Sequence, residues 1–127
     1  MRPAALVQTA AERFLEGADA PLLACFHADV ELYWEPAISR EPLVSSRAAL
    51  EAWLRRIRAD HPRLNATVTE PEEHGNGAVC EVIVTQHVVP DEVWRVALAV
   101  CVKDDLIREV RAFWSNESAK AWVLGFE

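Results

Sequence analysis

Residues 78–115 read AVCEVIVTQHVVPDEVWRVALAVCVKDDLIREVRAFWS. Three long runs rich in Val, Ile and aromatic residues, Ala78 to Val89, Val93 to Lys103 and Leu106 to Ser115, are separated by Pro90-Asp91-Glu92 and by Asp104-Asp105. β-Branched and aromatic side chains suit a pleated, half-buried surface, and short polar breaks between such runs signal turns. The stretch is therefore expected to be an antiparallel meander. Successive side chains of a strand point to opposite faces. Cys80, Val82, Val84, Gln86 and Val88 thus share a face, as do Trp94, Val96, Leu98 and Val100, and as do Arg108, Val110, Ala112 and Trp114. The tight Asp104-Asp105 connection sets Trp94 near Trp114 and Leu98 near Val110, and this apolar face is expected to be the concave one. The opposite face mixes Ile83, Ala97, Ala99 and Phe113 with Glu81, His87, Arg95, Glu109 and Arg111. That composition suits a subunit interface or a solvated sheet face.

The upstream half has another texture. Leu6, Val7, Ala10, Ala11 and Phe14 form one apolar stripe at helical spacing, and Gly17 ends it. Asp19 is placed to cap a short second helix that buries Leu22, Leu23 and Phe26. Val30, Leu32 and Trp34 alternate with Glu31, Tyr33 and Glu35 as a half-buried strand. Ser45 or Ser46 caps a third helix whose buried positions are Leu50, Trp53, Leu54 and Ile57, with Glu51, Arg55, Arg56 and Arg58 on its far side. Leu64 to Glu70 is a short strand, Gly75-Asn76-Gly77 a strong turn, and Ser118 to Phe126 a short terminal helix. Helices followed by a run of antiparallel strands mean an α+β fold, the helices lying on one face of a curved sheet.

A chain of 127 residues fits a single domain, residues 1–127, and its 51% hydrophobic content argues against disorder. The net charge of −7 argues against a nucleic-acid face, which needs clustered Lys and Arg. Three scattered cysteines, Cys25, Cys80 and Cys101, make a poor disulfide framework and read as buried thiols of a reducing, cytoplasmic compartment. Gln8, Glu12 and Arg13 interrupt the N-terminal stretch, so it does not read as a signal peptide, and no run approaches the ~18 apolar residues of a membrane span. No spacing suggests a metal site, a phosphate loop or a nucleophile elbow, and no cofactor is expected.

Five tryptophans are the strongest pointer to a ligand. Trp34, Trp94 and Trp114 converge at one end of the sheet, while Trp53 reads as core filler. With Val96, Leu98, Val110 and Ala112 as its floor, such a cavity suits a small apolar or aromatic molecule. Gln86 is a polar group on that strand face, able to hydrogen-bond a ligand carbonyl.

The segments Phe14 to Phe26, His27 to Pro36, Ser46 to Trp53 and Leu106 to Trp114 together resemble the NTF2-like superfamily, in its SnoaL-like and ketosteroid-isomerase-like branch. The resemblance implies a cone-shaped α+β barrel with one deep pocket, commonly a homodimer through the outer sheet face. It also implies a carboxylate base before a proline at the end of the first strand, which here is Glu35 before Pro36. An ungapped count from Asp29 puts Trp34 at that position instead. The isomerase branch's tyrosine donor corresponds to the neighbourhood of Ala11 and its protonated aspartate to that of Leu98, so neither donor is present. The epoxide-hydrolase branch needs an inward Asp-Arg-Asp set, and Arg95 points outward. Glu35, at the rim of an apolar pocket, is the candidate base, and Tyr33 the candidate oxyanion donor if the register slips. The implied activity is a cofactor-free isomerase, cyclase or lyase acting on a hydrophobic carbonyl compound; the alternatives are a non-catalytic binder and a dimeric interaction protein.

Overall fold

The computed structural model describes residues 2–33, 42–60, 65–85 and 93–125. Its elements run α1 (Pro3–Glu16), α2 (Asp19–Leu23), β1 (Phe26–Tyr33), α3 (Arg47–Asp60), β2 (Asn65–Val68), β3 (Glu72–His74), β4 (Gly77–Thr85), β5 (Val93–Lys103), β6 (Leu106–Phe113) and α4 (Asn116–Leu124). Gly17 ends α1 with φ at 73°, and the amides of Gly17 and Ala18 donate to the carbonyls of Phe14 and Arg13. This double-bonded helix ending favours glycine, which carries no Cβ to clash in the left-handed region. Ala18, rather than Asp19, occupies the cap of α2; Asp19 lies in the first turn and pairs with Arg58 at 2.9 Å. Arg58 is thereby drawn off the solvent side of α3, where periodicity places it. Ser46 caps α3, its Oγ accepting the Ala49 amide at 3.1 Å.

The strands form one sheet in the order β1-β6-β5-β4-β2, with β3 also on β4. The pairs within β2 to β6 are antiparallel, as the meander implies, but β1 joins β6 in parallel. No hairpin connects β1 to its neighbour, so nothing forces it antiparallel.

The β5–β6 hairpin decides which residues face inward. Asp104 and Asp105 both have positive φ, 56° and 61°, the two-residue turn whose twist matches a hairpin. After the pairs Lys103–Leu106 and Val102–Ile107 the register slips by one residue, so that Cys101 faces Glu109. The extra residue is Arg108, a bulge that reverses the alternation of β6. Ile107 and Val110 therefore share the inner face, Val100 faces Val110, and Leu98 faces Ala112 rather than Val110. Arg108 reaches β1 instead of the concave face, donating to the Asp29 carbonyl at 2.6 Å and pairing with Glu31 at 3.8 Å. Left-handed backbone costs an L-residue about 1 kcal/mol or more.

The two sheet faces have different covers. Residues from α1, α2 and α3, including Leu6, Leu22 and Leu54, bury against the inner face. On the outer face Ala119 and Val123 of α4 pack on Val79, Ala97 and Ala99, with Phe113 and Trp122 beside them. Part of the face expected to be an interface or solvated is thus covered by the chain's own last helix. Small residues at Ala97, Ala99 and Ala119 let α4 sit close to the strands. No helix of the described residues is long and apolar enough to cross a membrane.

Candidate functional site

A cavity of about 290 Å³ lies between the helices and the inner sheet face. Two helices supply opposite walls with the same spacing: Val7, Ala10, Ala11 and Phe14 from α1, and Leu50, Trp53, Leu54 and Ile57 from α3. Positions i, i+3, i+4 and i+7 fall on one side of a helix, so each stripe aims at the same space. Cys80, Val82, Leu98 and Val100 form the floor with Val110, and Ile107 joins it through the Arg108 bulge. Val30 and Leu32 close one side, Ala66 and Val68 the other.

This wall is hydrocarbon apart from the Trp53 indole and the Cys80 thiol. Burial pushes the Cys80 thiol up to about 11, so it stays protonated near neutral pH and is a poor nucleophile. Among the described residues no group of three or more His, Cys, Asp or Glu could hold a metal ion. The arrangement can desolvate an apolar body. It supplies no charge and no oxyanion donor to that body among the described residues.

The model of the SnoaL-like domain matches residues 7–110. The chain belongs to the SnoaL-like family. Solved structures agree on the fold of this SnoaL-like protein. A cystatin-fold protein from Novosphingobium aromaticivorans superposes with a TM-score of 0.76 at 12% identity, over 89% of this chain and 98% of that one. A candidate ketosteroid isomerase from Kribbella flavida gives 0.72 at 23% identity, over 89% and 77%. A candidate polyketide cyclase from Xanthomonas campestris gives 0.65 at 22% identity, over 96% of both chains. At these identities the likeness carries fold, not activity. No curated protein sequence matches the chain.

Within the SnoaL-like frame the residues singled out from sequence separate. Leu98 and Val110 line the cavity. Val96 and Ala112 are buried but outside its wall. Trp114 is 73% exposed and is not among the residues of the cavity wall: β6 ends at Phe113 and Ser115 already caps α4. Tyr33 points to the outer face, because Leu32 next to it points inward and the strand alternates. Its hydroxyl donates to Glu31 Oε2 at 2.7 Å, and the Arg111 guanidinium lies 3.9 Å from its ring centre. Burial first, then Glu31, raises its pKa. It is therefore not an oxyanion donor for this cavity. Glu35, Trp34 and Gln86 lie outside the described residues, as does the side chain of Trp94, whose backbone pairs with Val84.

Ala11 and Leu98, the positions compared with the isomerase donors, both line the cavity, so donors at those places would face a ligand; here they offer a methyl and an isobutyl group. Trp53, read as filler, is a wall residue, and Phe14 and Ile57 complete the wall; the helical stripes already carried that signal. The outer face holds a second cluster. Arg111 lies between the rings of Tyr33 and Trp122, at 3.9 and 5.0 Å, and pairs with Glu109 at 3.1 Å. Beneath it the Cys101 thiol is pushed up to about 12, by burial and then by Glu109. This cluster ties β1 and α4 to β6 and is structural.

Proposed function

We propose that this SnoaL-like protein takes a small, uncharged, apolar molecule into the cavity and moves a proton on a carbonyl-bearing one with Glu35 as base. The hydrocarbon wall carries the reading: a site with no charge and almost no polar atoms among the described residues selects against ions and hydrated molecules. Burying roughly 300 Å² of ligand at about 25 cal/mol/Å² contributes about 7 kcal/mol. Association itself costs roughly 4 kcal/mol or more. Hydrocarbon contact alone therefore gives a weak complex, and Glu35 is assigned the proton transfer rather than the binding.

A second reading, a binder without turnover, is favoured by one observation. The wall positions compared with oxyanion donors are Ala11 and Leu98, and a base without such donors is a slow isomerase. One experiment separates the two. Binding is measured by fluorescence of N-phenyl-1-naphthylamine and its displacement by a panel of 3-oxosteroids and aromatic polyketides. Deuterium exchange α to the carbonyl of a displacing compound is then followed by NMR. Glu35→Gln is expected to keep displacement and slow exchange by about a hundredfold or more. Exchange that is equal in the wild type and Glu35→Gln leaves the protein a binder.

A further inference from the structure

One side chain of α3 bridges to both α1 and the start of α2. Arg58, near the end of α3, donates through Nη2 to the Phe14 carbonyl at 2.7 Å and to Asp19 Oδ1 at 2.9 Å. Its guanidinium also lies 4.6 Å from the centre of the Phe14 ring. Phe14 is itself a wall residue, and Ile57, next to Arg58, is another. Both are only half-buried, while Leu50, Leu54 and Cys80 deeper in the wall are buried. Trp53, Ala66, Val68 and Leu98 elsewhere in the wall are half-buried too; what sets this end of the helix pair apart is that the side chain bridging it is polar and partly exposed.

We infer that Arg58 is an ionic latch, and that its release parts α1 from α3 and sets the rate at which ligand enters and leaves. The inference rests on the cavity-binding reading above and adds its regulation. Two features make the latch openable. The Arg58 and Asp19 side chains are 32% and 34% exposed, so water and salt compete for both. The Phe14 carbonyl also accepts the Gly17 amide, 3.2 Å away, so it keeps a partner when Arg58 lets go. Opening exposes no orphaned backbone group there. Arg58 does not line the cavity, so Asp19→Asn, which loosens the ion pair and keeps the guanidinium over the Phe14 ring, leaves every wall side chain in place. Entry and exit must accelerate together.

Stopped-flow fluorescence with N-phenyl-1-naphthylamine tests this on the full chain. A partly exposed ion pair is worth about 1 kcal/mol, so Asp19→Asn is expected to raise association and dissociation rates by about two- to fivefold. Arg58→Met, which also loses the charged hydrogen bond to the carbonyl, is expected to raise both by about tenfold or more. In each variant the equilibrium constant stays within about twofold, the accuracy at which equal factors cancel. Sodium chloride at 0.5 M accelerates exchange in the wild type and not in Asp19→Asn. A rise in dissociation alone, with weaker binding, makes Arg58 a wall support and overturns the latch. Unchanged rates in Asp19→Asn and in salt overturn it too, whether or not Arg58→Met folds. A wild type that does not take up the probe at all overturns the binding reading, and the latch with it.

Discussion

Gly77→Ala is expected to cost the fold about 3 kcal/mol, the upper end of the usual penalty for overpacking. A Cβ at this position would stand 2.5 Å from the Val100 carbonyl oxygen and 2.9 Å from Val123 Cγ1. The first atom is backbone of the neighbouring strand, which cannot rotate away. The second belongs to a buried side chain of α4, 5% exposed. Relief therefore needs β4 to part from β5 or α4 to lift from the sheet, where Ala99 and Ala119 are both fully buried. Natural domains hold only about 5–15 kcal/mol in all, so this one methyl removes a large share. Urea denaturation measures the loss, and near-ultraviolet circular dichroism reports whether the packing around Trp122 is kept. Gly125→Ala is the matched control. Its nearest neighbour is 3.4 Å away, and Gly125 sits at φ −89°, open to any residue. A Gly77→Ala protein within about 1 kcal/mol of wild type would show that α4 docks less closely than described.

Periodicity carries most of the fold and little of the site. The span of β5, the stop at Gly17 and the start of α3 at Ser45 or Ser46 all follow from local chemistry. Turn and cap signals act on a few consecutive residues, so they are readable in order along the chain. What fails is what depends on distant partners. Alternation shows that Tyr33 and Leu32 face opposite ways, but only the packing of α1 and α3 shows that Leu32 is the inward one. The Arg108 bulge inserts one residue and so reverses the face of every β6 residue before it, without leaving a mark in the hydrophobic pattern. Ile107 enters the wall for that reason. Arg58 reads as a solvent-facing charge on its helix until Phe14 and Asp19 arrive from elsewhere in the chain. Trp114 looks inward by parity, yet the strand ends before it. The apolar character of the cavity was legible because it rests on many residues at once. Single polar assignments, such as Tyr33, rest on one register and fall with it.

Leu98→Trp is expected to block the cavity while the protein stays folded. Leu98 is half-buried at the middle of the floor, its side chain directed at the space between α1 and α3. An indole there has a void of about 290 Å³ to occupy, so it need not displace packed neighbours. Filling a void with apolar atoms commonly adds about 0.5–2 kcal/mol of stability, and the thermal midpoint should hold or rise. A ligand must then expel the indole or share an overfilled space, a penalty of about 1–3 kcal/mol, which is roughly tenfold to a hundredfold in affinity for N-phenyl-1-naphthylamine. Arg95→Trp puts the same side chain on the same strand but on the opposite face, where Arg95 is 65% exposed at the side chain, and should leave affinity unchanged. The pair separates occupancy of the cavity from any effect of an added tryptophan on fluorescence. If Leu98→Trp keeps its midpoint and binds the probe as tightly as wild type, the probe sits elsewhere. If Arg95→Trp is the weakened variant, the outer face near α4 is where it sits, and the cavity is packing space rather than a binding site.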